Sequence, residues 1–283
     1  ADEELSLPKA IVTSHVARLR LLTGLLQGVI LYALYYSLKE KFWPSTNGYL
    51  FSPLTMIFVF VPVLFISALG HLNARRMWIW MTIAALICVL MGVYDIWRIG
   101  FIDSSNLFDA SGSRRTPSPL VSLFVAGGFY IAHALVLAAA ADEKRIARYP
   151  TYFETAWKLI IQIKFSFLFV AVLWLILWLG ATLFMLVKVR FLQELMEQSW
   201  FVIPVITFAF STALHITDVR PGIVRGIRSL LLVLMSWLLP ITTLIVGGFL
   251  LTLPLTGLEP LWATRYATSV LLGASATLVI LIN

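Results

Sequence analysis

Charge is what this chain has least of. Asp, Glu, Lys and Arg make up 12% of its 283 residues, about half the share of a soluble globular domain. That leaves too little polar surface for a body standing in water, so lipid must be its main solvent. Cysteine is nearly absent too. The single one, Cys88, excludes an intrachain disulfide and any cysteine-built metal site. Its four histidines, His15, His71, His133 and His215, are dispersed, with no metal-ligand spacing between them. No G-x-S-x-G, H-E-x-x-H, Walker A or G-x-G-x-x-G pattern occurs. No catalytic residue, metal or cofactor is therefore expected, and the reading is of a protein that is not an enzyme.

What is present is long apolar runs. Hydrophobic residues are 60% of the chain and the mean hydropathy is +0.92. Between Lys164 and Lys188 no charge interrupts the sequence. As a helix that stretch is ~34 Å long, slightly more than a ~30 Å hydrocarbon core. A helix apolar on every side over that length faces lipid or other buried helices. The runs are continuously apolar rather than alternating, which selects helices over a barrel.

The expected architecture is all-α: a polytopic transmembrane bundle of about eight spans, forming a single transmembrane domain over 1–283. The spans are predicted at 19–38, 51–70, 77–99, 119–141, 165–187, 201–216, 230–252 and 266–283. The first is too long for a cleavable signal and stays in the membrane. Thirteen of the 21 Lys and Arg fall on one side when the N-terminus is placed in the cytoplasm, so N-in and C-in is expected. This basic excess fits anionic headgroups rather than nucleic acid. The closing LLGASATLVILIN stops inside an apolar run, and more chain is expected to follow Asn283.

Candidate functional positions are the ionisable groups inside spans, because a charge in hydrocarbon is costly. His133, in FVAGGFYIAHALVLAAAA, is the deepest. Asp95 and Arg98, in VYDIWRIG, are spaced to pair on one helix face. His215 and Asp218 close the sixth span and are expected to be solvated. Lys144, Arg145 and Arg148, in the predicted loop 142–156, together with Lys164, are candidates for headgroup binding at the cytoplasmic leaflet. Pro62, Pro204 and Pro240 fall inside spans and release backbone carbonyls. Gly24-x-x-x-Gly28, with Gln27 beside it, offers close helix approach and an interhelical hydrogen bond, and Gly128-x-x-x-Ala132 offers close approach again. Trp174 and Trp178 lie mid-span, where bulky packing is expected.

Several stretches also resemble a known family. LLQGVILYALYY, FLFVAVLWLILWLGATLF, LLPITTLIVGGFLLTLPLTGLEPLWATRYATSVLL and the final LVILIN resemble a bacterial family known as domain of unknown function 4153. The resemblance covers most of the chain and is strongest from Trp157 to Asn283. It implies a multi-pass protein of the bacterial inner membrane, generally longer than this chain, and supplies no activity and no site residues. Transport of an ion, lipid or small solute ranks first, and a non-catalytic scaffold holding another envelope protein second. A membrane-embedded enzyme acting on a lipid-linked substrate ranks last, since no set of polar residues for it is recognisable. A protein partner or homo-oligomer is open in either of the first two.

Overall fold

The computed structural model describes residues 14–103, 116–186, 190–219 and 267–282, with isolated helical positions between 226 and 254. The regular elements among them are helices: α1 (Ser14–Glu40), α2 (Gly48–Ala68), α3 (Ala74–Asp103), α4 (Pro119–Ala141), α5 (Tyr149–Leu186), the short α6 (Phe191–Glu197), α7 (Ser199–Val219) and α8 (Ala267–Ile282). Six of them, α1 to α5 and α7, are long and apolar enough to cross a membrane. They correspond to the first six predicted spans. The predicted seventh span lies largely outside the described residues, and the eighth falls on α8, a helix of 16 residues. The chain divides into two compact units, Ala1–Pro221 and Gly222–Asn283. All six spans belong to the first.

Local chemistry sets the helix starts. Asn47 caps α2, its side chain accepting from Tyr49 N at 3.0 Å. Ser118 caps α4 with Pro119 in the first turn, where a missing N–H costs nothing. One boundary departs from expectation. The loop predicted at 142–156 is only half that length, because α5 already begins at Tyr149. The Asp142 carboxylate accepts from Arg148 N (2.8 Å) and Thr151 Oγ1 (3.0 Å), closing the turn that launches the helix. These bonds, the Arg148 backbone N–H first, hold the Asp142 carboxyl below its ordinary range. At 38 residues α5 is ~57 Å long and outreaches the hydrocarbon core.

In the first unit, α1 packs on α2, α2 on α3, α3 on α4, α4 on α5, α5 on α7 and α7 back on α1. The six spans thus form a closed ring. The α7–α1 seam rests on Gly24 and Gly28. A β-carbon on Gly24 would overlap Ser211, and one on Gly28 would overlap Thr207 Oγ1 and the Pro204 backbone. Gly92 of α3 meets Pro53 of α2 in the same way. Between α2, α3 and α4 lies a buried core built from Met56, Leu64, Trp80, Ala84, Cys88 and Phe129 among others. The outer faces are apolar and bare: Leu123 is 68% exposed and Phe124 72%. Trp178, expected to pack, is 63% exposed and points outward with them. On a lipid-facing surface that is no defect, since hydrocarbon is as good a neighbour as protein.

Candidate functional site

With six spans alternating in direction, the start of α1, the α2–α3 link, the α4–α5 link and the end of α7 share one end of the bundle. There the chain buries a knot of charge. Asp218, in the last turn of α7, accepts from Arg20 Nη2 at 2.6 Å, Lys158 Nζ at 2.8 Å and Gln162 Nε2 at 2.7 Å. Arg20 is fully buried, and the Asp218 side chain is only 4% exposed. Arg20 Nη2 also donates to the Leu69 carbonyl, while the Arg20 carbonyl accepts from Ser211 Oγ at 2.8 Å. The knot therefore joins α1, α2, α5 and α7.

His71, in the α2–α3 link, completes it. Lys158 Nζ lies 3.0 Å from His71 Nε2 and Asp218 Oδ2 lies 3.4 Å away. An ammonium can only donate, so the shorter contact makes Nε2 an acceptor and leaves the ring neutral with its proton on Nδ1. Burial pushes the His71 pKa below its usual value, with the Lys158 and Arg20 charges acting in the same direction and Asp218 opposing them. Two cations thus face one carboxylate. Removing that carboxylate would strand both in a low dielectric, a loss of about 3–5 kcal/mol. The expectation that Asp218 is solvated is overturned. Its partners lie at positions 20, 71, 158 and 162, and only the closed ring brings them to it.

His133 occupies a second buried polar set, above the knot. Trp80 Nε1 donates to His133 Nδ1 at 3.1 Å, and His133 Nε2 lies 3.0 Å from Ser67 Oγ. An indole N–H cannot accept, so Nδ1 carries the lone pair and Nε2 the proton. His133 is a neutral imidazole lying edge to edge with Trp80, the two ring planes 22° apart.

Beside His133 a cavity of about 260 Å³ opens between α2, α4, α5 and α7. Ser67, His133 and Gln162 line its end nearer the knot; Val59, Phe60, Ala126, Phe167 and Phe210 line the other. Its walls are apolar apart from that polar end. The volume falls just below the ~300–1,000 Å³ of drug-sized pockets, so it suits one slender group. Gln162 faces the cavity and also holds Asp218, which links the cavity to the knot.

Asp95 and Arg98 are elsewhere. Asp95 is fully buried and accepts from Ser118 N at 2.6 Å and Ser118 Oγ at 2.9 Å. Arg98 Nη2 approaches Asp95 at 3.7 Å and is partly exposed. A carboxylate there satisfies an N–H at the start of α4 and complements its positive end. Ser118 and His133 are separated by about 22 Å along α4, so the three candidate positions do not form one site.

Among the candidate headgroup residues, Lys144 and Arg145 line a groove between α3 and α4, joined there by Arg76. Arg148 instead approaches Asp142 at 3.5 Å, and Lys164 is exposed on α5. The residues that sequence reasoning missed are Arg20, His71, Lys158 and Gln162. Arg20 and Lys158 are hidden in the sequence among the basic residues that set topology. The available signal is Asp218 itself, an acidic residue in a span of a chain with only 14 Asp and Glu. Comparison of the chain with protein-family models, curated proteins and solved structures finds no match.

Proposed function

We propose that the protein is a transport component of the bacterial inner membrane. It takes up an amphipathic solute with one slender apolar arm, lipid-like in character. The observation that carries this reading is the cavity inside the ring: apolar through most of its length, closed at one end by Ser67, His133 and Gln162. The arm lies against Phe60, Phe167 and Phe210, and the neutral polar groups meet the solute's hydrogen-bonding end. His133 has both nitrogens engaged, by Trp80 and Ser67, so it orients the polar end. The groups left to meet the solute are the Ser67 hydroxyl and the Gln162 amide oxygen, both neutral. The charge knot below acts as a fixed floor, because Asp218 already has its donors. The bacterial inner membrane follows from the family resemblance, and N-in from the basic excess at the knot's end.

Purified protein in liposomes, with a neutral single-chain alkyl glycoside carrying a fluorescent tail as probe, tests this. The wild type should move the probe between leaflets well above the rate of protein-free vesicles. Ala126→Phe, which fills the cavity without touching the polar set, should return the rate to background. Ser67→Ala, which removes a hydroxyl from the polar end, should lower the rate by about tenfold, the worth of one hydrogen bond near 1.4 kcal/mol. A wild type no faster than empty vesicles, or an Ala126→Phe variant as fast as wild type, overturns the reading.

A further inference from the structure

On the outside of the ring, α3 and α4 stand apart along a seam open to the bilayer. At the knot's end the seam forms a groove of about 440 Å³, walled by Ile79, Trp80, Ile83 and Val136 and rimmed by Arg76, Lys144 and Arg145. Further along the same two helices a second groove of about 450 Å³ runs between Ile87, Met91, Val121, Phe124 and Gly128. Gly128 has no atom near the place a β-carbon would take, so the seam is open at that point as well.

The rim is built by a particular backbone turn. At the end of α4, Glu143 N bonds to Ala140 O (3.3 Å) and Lys144 N to Ala139 O (3.1 Å), the paired bonds of a Schellman cap. The residue in its left-handed position is Glu143, at φ 54°, where glycine is the usual occupant. This turn brings Lys144 and Arg145 to the seam and leaves them facing Arg76 from the first turn of α3. Among the described residues no acceptor meets any of the three cationic groups, and Glu143 is the one carboxylate in the groove's lining.

We propose that this groove is a binding site for an anionic phospholipid. Its phosphate sits among Arg76, Lys144 and Arg145, and its acyl chain lies on Ile79, Ile83 and Val136, continuing into the second groove. The charge pattern selects the occupant. A cationic rim at the headgroup level above an apolar slot at the hydrocarbon level matches an anionic lipid in both parts. A second copy docking through this face would set cations against cations. The inference is independent of transport: it concerns a lipid held outside the ring, and it stands whether or not the inner cavity moves anything.

Native mass spectrometry of the full chain in mild detergent, titrated with phosphatidylglycerol or phosphatidylcholine of identical chains, tests it. Phosphatidylglycerol should be retained in preference. The triple variant Arg76→Gln, Lys144→Gln, Arg145→Gln should lose affinity for it by on the order of 100-fold, at about a kcal/mol for each cation, while Lys164→Gln should not. Ala140→Phe, which occupies the slot and keeps every charge, should also lose it. Equal retention of the two lipids overturns the proposal. So does an Ala140→Phe variant that binds as the wild type does, since only loose attraction to the loop would then remain. Displacement of the lipid by glycerol 3-phosphate at matching concentration would reveal a site for a free phosphate and overturn it equally.

Discussion

Pro62 has no N–H to offer the carbonyl of Phe58, one turn earlier in α2, and in hydrocarbon no water can replace it. Gln27, from α1, donates its amide there: Nε2 lies 3.0 Å from Phe58 O and 3.2 Å from Val59 O. Gln27→Leu should therefore cost about 1 kcal/mol, read as a lower unfolding temperature in detergent. Pro62→Ala returns an N–H to Phe58, so in that background Gln27→Leu should cost markedly less; an unchanged cost in the double-mutant cycle would mean the carbonyl was never the partner. Both halves of this contact are legible in the sequence, one as a proline that frees a carbonyl and the other as a glutamine able to bridge helices. Their meeting is not, because it depends on which helix lies beside which. Asp218 misleads for the same reason. Local sequence shows an acid at a helix end, and nothing local shows Arg20 and Lys158 arriving from 198 and 60 positions away.

Two small-residue patterns look alike in the sequence and differ in the fold. Gly24 and Gly28 carry the α1–α7 seam, whereas Gly127 and Gly128 face open space. Gly28→Ala should destabilise the protein by about 2 kcal/mol, because the added carbon meets backbone at Pro204 that cannot rotate aside. Gly128→Ala should stay within about 0.5 kcal/mol of wild type. Thermal unfolding of the two variants side by side checks this, and equal losses would contradict the pairing of α1 with α7. Apolar length makes each of the six spans readable, since lipid imposes that length on any span. The start of α5 is hidden because Tyr149 to Ala156 is mixed in polarity, and its helix depends on the Asp142 bonds rather than on an apolar pattern.

At the scale of the first unit, six alternating spans place its two ends on the same side, and the N-in orientation proposed from the basic excess makes that side the cytoplasmic one. Cys88 is buried, so a Cys88→Ala background offers a blank for labelling. A membrane-impermeant maleimide should reach Thr46→Cys from outside right-side-out vesicles, and Lys144→Cys only in inverted ones. The opposite pattern would reverse the orientation and move the cationic groove to the other leaflet. The knot at Asp218 has a consequence for how the chain is made. Arg20 is on the first span and Lys158 on the fifth, and their counter-charge is in the last span of the unit. Until the ribosome has delivered α7, the nascent bundle carries two uncompensated cations among its helices. A chain cut short before residue 218 would keep that mark permanently, and a membrane protease that recognises unpaired charge could tell it from a finished one.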